Sequence, residues 1–214
     1  NDDYTLQITN NENLIFAGGY VNWGDGTPVT QLKDGVYHHT YEKAGRYEVK
    51  AKCVPGGYTV PLTSGDTLVE VKQLPTNAHN FNSCFSGAKN LQKVTARNLV
   101  FSNNGIKSMF YNCSSLKEIV GIETWDVSEV SDLGSLFGNC SALEYANVKD
   151  WDTGNCSNFF NLFFNCKNLK DLDVSQWNTK NAINMQTMFS GCESLTSLDL
   201  EKWTTPKITF MNSM

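Results

Sequence analysis

Four regularly spaced cysteines are the residues of this chain best suited to chemistry. Cys140, Cys166 and Cys192 recur at every twenty-sixth position, and Cys113 precedes Cys140 by an interval that is one position longer. Sulfur atoms at one position of successive copies would suit metal binding, a disulfide ladder or redox work. Zinc ligands must converge on one point, however, and the chain has no CxxC or HxxxH pair. Buried thiol packing is therefore the preferred interpretation, and adjacent-copy disulfides and a metal site are the alternatives.

Three further cysteines bring the total to seven. Because seven is an odd number, disulfides within the chain cannot use all of them. Cys156 falls where other copies carry Val130, Ala182 and Ile208 and is interpreted as a small core residue. Cys53 and Cys84 lie off the regular spacing, and a bridge between them is an alternative. We predict no metal and no cofactor.

Catalytic residues are scarce. The chain has three histidines, His38, His39 and His79, and no GxSxG, HExxH, P-loop or GxGxxG motif. Carboxylate pairs occur, but a glycosidase needs one of the pair in a cleft with a raised pKa, which sequence does not show. We therefore predict that the chain is not an enzyme.

Charge and hydropathy exclude further classes of partner. The 214 residues include 17 Lys plus Arg and 22 Asp plus Glu, for a net charge of −5. This balance and the lack of a basic run argue against nucleic acid and anionic membranes as partners. No apolar run approaches the roughly 18 to 20 residues that span a bilayer. Asp2 and Asp3 would suit a mature lipoprotein just after its lipidated cysteine, so we expect a membrane link only through such an anchor.

An internal repeat must position these side chains. Trp125, Trp151, Trp177 and Trp203 recur at the same interval as the later cysteines, at every twenty-sixth position. Within one copy, Met185, Met188, Phe189 and Cys192 follow the i, i+3, i+4, i+7 spacing of a helix face, while Leu198 and Leu200 alternate like a strand. The sequence therefore predicts an α+β fold, a leucine-rich-repeat-type solenoid with one strand and one short helix per copy.

Both ends of the array are atypical. Residues 68–100 carry a degenerate copy in which Ala88 replaces cysteine, as a capping copy would. Met211 and Met214 occupy the places of Met185 and Met188, so the last copy is truncated and is expected to leave an apolar end exposed.

The segment Met-Phe-Ser-Gly-Cys-Glu-Ser-Leu-Thr-Ser-Leu-Asp-Leu-Glu-Lys-Trp at 188–203 resembles the BspA-type leucine-rich repeat of bacterial surface proteins and lipoproteins. The resemblance covers residues 81–214 and departs at Ala88 and at an insertion near Gly121. It implies a cell-surface or extracellular location, adhesion or ligand binding, and no catalysis.

The N-terminal residues lack the repeat and alternate as strands do, for example at Tyr4-Leu6-Ile8. Val-Asn-Trp-Gly-Asp-Gly-Thr at 21–27 and His-Thr-Tyr-Glu-Lys-Ala-Gly-Arg-Tyr-Glu-Val at 39–49 resemble the PKD domain, which implies a small immunoglobulin-like β-sandwich with Trp23 in its core. We predict two domains, a sandwich at 1–75 and a solenoid at 76–214, with the boundary near Pro75.

The candidate binding site is a polar strip on the sheet of the array. If Leu198 and Leu200 point inward, the alternating residues of three copies point outward. These strip residues are Tyr145, Asn147 and Lys149, then Asp171, Asp173 and Ser175, then Ser197, Asp199 and Glu201. Ordinary solvated strand positions are the alternative, and Asp173 and Asp199 could instead brace neighbouring copies.

These observations predict a non-catalytic surface or secreted recognition protein. Its partner would be a protein or glycan ligand on a host, a matrix or a neighbouring cell. Adhesion to a protein is the first hypothesis. Glycan capture by a polysaccharide-using bacterium, with Tyr145 as a stacking platform, and a purely structural stalk are the alternatives.

Overall fold

The computed structural model describes residues 3–9, 12–39, 41–43, 45–52, 68–74, 76 and 79–214. The described residues begin with five strands: β1 Asp3–Thr9, β2 Glu12–Asn22, β3 Thr30–His39, β4 Arg46–Lys52 and β5 Leu68–Gln73. Two short strands follow, β6 Lys93–Thr95 and β7 Glu118–Val120, and then the 3-10 helix Ile122–Thr124. Cys53, Tyr58 to Leu62 and Pro75, on which the proposed bridge and the domain boundary depend, lie outside the described residues.

All seven strands belong to one sheet, in the order β3-β2-β4-β1-β5-β6-β7. The pairs among β1 to β5 are antiparallel, whereas β5 pairs with β6, and β6 with β7, in parallel. Strand β5 therefore connects the two parts of the sheet, because it pairs with β1 on one side and with β6, the first strand of the repeats, on the other. Glu70 of β5 stands opposite Lys93 of β6, which in turn stands opposite Glu118 of β7.

Beyond β7 the copies continue to stack, and we call residues 79–214 the repeat stack. Isolated parallel bridges join equivalent positions of adjacent copies, as in the series Asp132, Asn158, Asn184 and Phe210. The tryptophan rings form a column through this stack, with centroid separations of 6.1, 6.2 and 6.4 Å from Trp125 to Trp203. Each indole Nε1–H donates to a backbone carbonyl of the preceding copy, for example Trp177 to Val148 at 2.8 Å.

The predicted α+β fold with a helix in each copy is wrong. No α-helix occurs in the part of the chain that the structure describes, and the expected helix at 185–192 is a pair of turns. Thr187 has a φ of 55°, which an α-helix does not accept, and Ser135 and Asn161 have positive φ at the equivalent positions. The backbone is strand, bridge and turn, so the leucine-rich-repeat-type solenoid of helices and strands is not what forms.

Hydrogen bonding explains the absence of helices. The N–H groups of Ser135, Phe137 and Asn139 donate to carbonyls of the next copy, at 2.6 to 3.0 Å. The intervening N–H groups of Leu136, Gly138 and Cys140 donate three residues back, at 3.0 to 3.2 Å. Every backbone donor in the segment is thereby satisfied without the i to i−4 bonds of a helix.

The predicted immunoglobulin-like sandwich is also wrong as a fold class, because the described N-terminal strands join one sheet with the repeat stack. Leu14, Phe16 and Val21 all lie in one long strand, β2. Trp23 is buried as expected, with its ring stacked on His39 at 4.6 Å. The Nε1–H of Trp23 donates to Thr30 Oγ1 at 3.0 Å, and the Tyr41 hydroxyl donates to the Trp23 carbonyl.

Candidate functional site

A groove of about 480 Å³ opens on the strand face of the repeat stack, around Tyr145. One wall is the segment 117–123, which includes β7, and the other wall is formed by Glu144, Tyr145 and Asn147. Tyr145 is 58% exposed and is, with Tyr20 and Phe210, one of three strongly exposed aromatic residues among those whose burial the structure describes. A groove of this volume lies within the range of about 300 to 1,000 Å³ that small-ligand sites occupy.

The insertion near Gly121 shapes this groove. Gly121 has a φ of 92° and precedes the 3-10 helix Ile122–Thr124, which the later copies do not contain. A Cβ at Gly121 would lie 2.4 Å from Arg97 Cγ and 2.7 Å from the Ala96 carbonyl oxygen, so no larger residue fits without displacement. The extra residue thus turns the chain out beside Tyr145 and leaves a recess between two copies.

Two of the three acidic side chains that line the groove are paired with lysines from adjacent copies, and the third, Glu123, lies 3.9 Å from Arg97 Nη1. Lys93 Nζ lies 2.8 Å from Glu118 Oε2, and Lys170 Nζ lies 2.7 Å from Glu144 Oε2. The hydrogen bond from Lys170, together with its positive charge, lowers the pKa of Glu144. Each pair engages one carboxylate oxygen, which leaves the lone pairs of the other oxygen for a ligand donor.

The predicted strip is exposed over most of its length. Tyr145, Asn147, Lys149, Asp171, Ser197, Asp199 and Glu201 are exposed, and Asp173 is partly exposed. Ser175 is buried, at 9% exposure, because its backbone N–H and hydroxyl both donate to Asp173 Oδ1. Backbone pairing joins Tyr145 to Asp171, so the residues of the two copies lie side by side.

Asp173 braces two copies, an alternative that the sequence had left open. Lys149 Nζ lies 2.9 Å from Asp173 Oδ2, across one repeat. The hydrogen bonds from Ser175 and then from Lys149 lower the pKa of Asp173 to about 2. Asp199 has a local role instead, since its Oδ1 accepts the backbone N–H of Glu201 at 3.1 Å.

Of the strip residues predicted from the sequence, only Tyr145 and Asn147 line the groove. The sequence analysis did not predict Glu118, Glu144 or Gly121 as site residues. The available signal was the extra residue between Cys113 and Trp125, which distinguishes this copy from the later ones. Lys149 and the acidic residues further along belong to the same face but lie outside the groove lining.

The regularly spaced thiols are structural hydrogen-bond donors. Cys113, Cys140, Cys166 and Cys192 donate to the carbonyls of Phe85, Phe110, Phe137 and Phe163, at 3.0 to 3.2 Å. Burial raises the pKa of each of these thiols, to about 11 for Cys192, which is only partly buried. These four cysteines and Cys156 are free thiols, and no cluster of potential metal ligands occurs among the described residues.

A second polar cluster lies beside Trp23 in the N-terminal strands. His39 Nε2 lies 2.6 Å from Asp25 Oδ2, and Asp25 Oδ1 accepts from the backbone and hydroxyl of Thr27. Desolvation by burial raises the pKa of Asp25, but the hydrogen bonds from Thr27 and His39 outweigh it and lower the pKa to about 2. Both oxygens of Asp25 are thus engaged in holding the 24–27 turn.

One family model matches the chain, described as "Mycoplasma protein of unknown function, DUF285". The matches cover residues 70–144 and 104–214, which together include the whole repeat stack and most of β5. No curated protein and no solved structure matches the chain. None of the described residues forms a helix long and apolar enough to cross a bilayer.

Proposed function

The chain belongs to the DUF285 family, and from this premise we propose that it is a non-catalytic surface protein that binds a neutral glycan in the groove at Tyr145. The observation that carries the proposal is an exposed aromatic ring in a recess lined by carboxylate and amide oxygens. The family is one of proteins of unknown function, so the ligand is argued from the groove alone.

The chemistry of the groove fits a sugar. The C–H groups on one face of a pyranose carry partial positive charge and pack against the negative face of an aromatic ring such as that of Tyr145. The sugar hydroxyls are donors for Glu118 and Glu144, whose paired lysines leave acceptor positions open. Asn147 offers both a donor and an acceptor at the same wall.

Charge compensation on this face favours a neutral ligand over a basic protein. Glu118, Glu144 and Asp173 each have a lysine within 2.9 Å, so the negative charge in and beside the groove is locally compensated. Electrostatic attraction of a charged protein needs an extended potential of one sign. Adhesion to a protein, the BspA-type resemblance and a lipid anchor stay predictions beside this proposal.

Binding of the fluorescently labelled chain to an array of glycans and extracellular-matrix proteins tests the proposal. We expect a hit on neutral oligosaccharides that Tyr145→Ala weakens at least tenfold, which corresponds to about 1.4 kcal/mol. Tyr20→Ala is the matched control, because Tyr20 is 52% exposed in the N-terminal sheet. The hit should persist at high salt, since no net charge drives it.

Other results would contradict glycan binding in this groove. A hit on a matrix protein that salt weakens, and that an Asp171/Asp173/Asp199/Glu201→Ala variant abolishes, would support protein adhesion instead. A sugar hit that Tyr20→Ala weakens as much as Tyr145→Ala does would move the site away from the groove. No hit of either kind would favour the structural stalk.

A further inference from the structure

Equivalent positions of successive copies form a row along the strand face of the repeat stack. Glu118, Tyr145, Asp171 and Ser197 each follow one of the regularly spaced cysteines by five residues. The parallel bridge between Tyr145 and Asp171 places two members of the row directly side by side. Neighbouring strands of a sheet lie about 4.8 Å apart, so the row presents one side chain at about that interval.

The two ends of this row differ in how their side chains are engaged. On the N-terminal side of the groove, the Glu118 carboxylate is paired with Lys93 of the preceding strand at 2.8 Å. On the other side, Asp171 and Ser197 are exposed and have no side-chain hydrogen bond or ion pair with any residue that the structure describes. We call Tyr145, Asp171 and Ser197 the open row. A ligand in the groove therefore finds wholly unengaged polar side chains in the direction of the last copy.

Ion pairs flank the open row on both sides. Glu144 and Lys170 precede the first two members of the row in sequence, and their side chains join the two copies at 2.7 Å. On the other side of the row, Lys149 and Asp173 join the same two copies at 2.9 Å. Asp171 is the one carboxylate of the open row, and it lies between these two lines of compensated charge. The open row therefore offers hydrogen-bond acceptors without an extended potential of one sign.

We propose that the ligand of the groove is an extended, neutral hexose chain that runs from Tyr145 over Asp171 to Ser197, along the axis of the stack. This inference rests on the proposed glycan-binding function and specifies its substrate class, a linear polymer. A chain of equatorially linked pyranoses advances by about one strand separation per unit, so successive units meet successive copies. The Asp171 carboxylate has about four lone-pair sites and can accept from neighbouring hydroxyls of one unit, and Ser197 can donate to or accept from the next.

The direction of the open row disfavours an extended peptide as the occupant. A peptide that adds to a sheet lies along the strands and pairs with the backbone of an edge strand. The open row crosses the copies instead, and the backbone of Tyr145 is already paired with that of Asp171. What the row offers is side-chain acceptors, which match the many hydroxyl donors of a sugar chain.

Isothermal titration calorimetry with glucose oligomers of increasing length tests the proposal. The probes are cello-oligosaccharides from the disaccharide to the hexasaccharide, whose equatorial linkages keep the chain extended. We expect the tetrasaccharide to bind about tenfold more tightly than the disaccharide, with little further gain for longer chains. Malto-oligosaccharides are the matched ligand control, because their linkages curl the same glucose units into a helix. We expect no comparable gain with length in that series.

Variants of the chain locate the additional contacts. Asp171→Ala should remove the tenfold gain of the tetrasaccharide and leave disaccharide binding at Tyr145 unchanged. Asp171→Asn retains an acceptor oxygen and should keep part of the gain. Glu129→Ala is the matched control, because Glu129 is an exposed carboxylate outside the groove and the open row. Circular dichroism spectra that match the parent spectrum establish that each variant is folded.

The length series separates failure of this inference from failure of the proposed function. Equal affinity for the disaccharide and the tetrasaccharide, with both weakened by Tyr145→Ala, would leave glycan binding in the groove and overturn the extended chain. A gain with length that Asp171→Ala does not reduce, or an equal gain in the malto series, would overturn it too. So would binding of neither series by a chain that captures another neutral glycan on the array. If no neutral glycan bound at all, the inference and the proposed function would both be wrong.

Discussion

Replacing Trp151 by alanine is expected to lower the free energy of unfolding by about 3 to 5 kcal/mol, the usual cost of emptying a large buried aromatic site. Trp151 is 3% exposed and lies in the middle of the tryptophan column, 6.1 Å from Trp125 and 6.2 Å from Trp177. The substitution removes packing on both sides and leaves the Ile122 carbonyl without its indole donor, which lies at 3.1 Å in the native chain.

Two further variants distinguish the contribution of the Trp151 ring from that of its N–H group and from the effect of position in the column. Trp151→Phe keeps an aromatic ring in the column but loses the donor, so we expect a smaller loss, of about 1 to 3 kcal/mol. Trp203→Ala is the positional control, because Trp203 is only partly buried in the last copy. Equilibrium guanidinium unfolding followed by far-UV circular dichroism measures all three. A loss in Trp203→Ala as large as in Trp151→Ala would contradict the view that stacking on both sides stabilises the column.

This column was the most predictable part of the fold. The regular spacing of the tryptophans predicted which residues lie side by side, and Asn158 pairs with Asn184 at that same spacing. The register followed from sequence because each copy buries its apolar side chains against the equivalent residues of the next. The spacing does not reveal the backbone conformation between equivalent positions.

The helix prediction failed for a geometric reason. Leu133, Leu136, Phe137 and Cys140 are all buried, and their spacing of three, one and three residues is that of a helix face. Two successive turns, each closed by a bond to the residue three back, give the same inward spacing. Positive φ at Ser135 and Asn139 distinguishes the turns from a helix. Asparagine tolerates positive φ, so Asn139 is compatible with a turn, but a serine such as Ser135 does not indicate positive φ from sequence.

The candidate site was predictable in part. Alternation along the strand face correctly placed Tyr145 and Asn147 outside, with Ala146 and Val148 buried between them. Alternation failed at Ser175, because the side chain of Asp173 folds back and accepts two hydrogen bonds from it. The pairing of Glu118 with Lys93 and of Glu144 with Lys170 depends on which copies are adjacent and on side-chain rotamers, which the sequence pattern does not specify.

Stability is expected to fall steeply above pH 9 because of the buried thiols. Burial raises the pKa of Cys113, Cys140 and Cys166 above the ordinary thiol value of 9.0, and it raises that of Cys156 to about 12. In the unfolded chain these thiols ionise near their ordinary pKa, whereas in the folded chain they stay protonated. The unfolded state then binds fewer protons, so the free energy of unfolding decreases as pH rises.

The magnitude follows from the number of thiols. At pH 10 each thiol that ionises only in the unfolded state costs about 1.4 kcal/mol, so the four together cost about 5.5 kcal/mol. That loss is comparable to the total stability of many domains, of about 5 to 15 kcal/mol. The thiol contribution is fully present below pH 9 and is lost progressively as pH rises from there towards the folded pKa values.

Urea unfolding at pH 7.5 and at pH 10, under reducing conditions, measures this loss. The control is the double variant Cys140→Ala/Cys166→Ala, which removes two of the shifted thiols and should therefore lose about 2.8 kcal/mol less stability than the parent between the two pH values. Lysine and tyrosine titration is common to both chains and cancels in the comparison. If the double variant lost as much stability as the parent, the pH dependence would lie elsewhere. The expected difference arises because Cys140 and Cys166 donate to the carbonyls of Phe110 and Phe137, and a thiolate there would face a carbonyl oxygen with no proton to share.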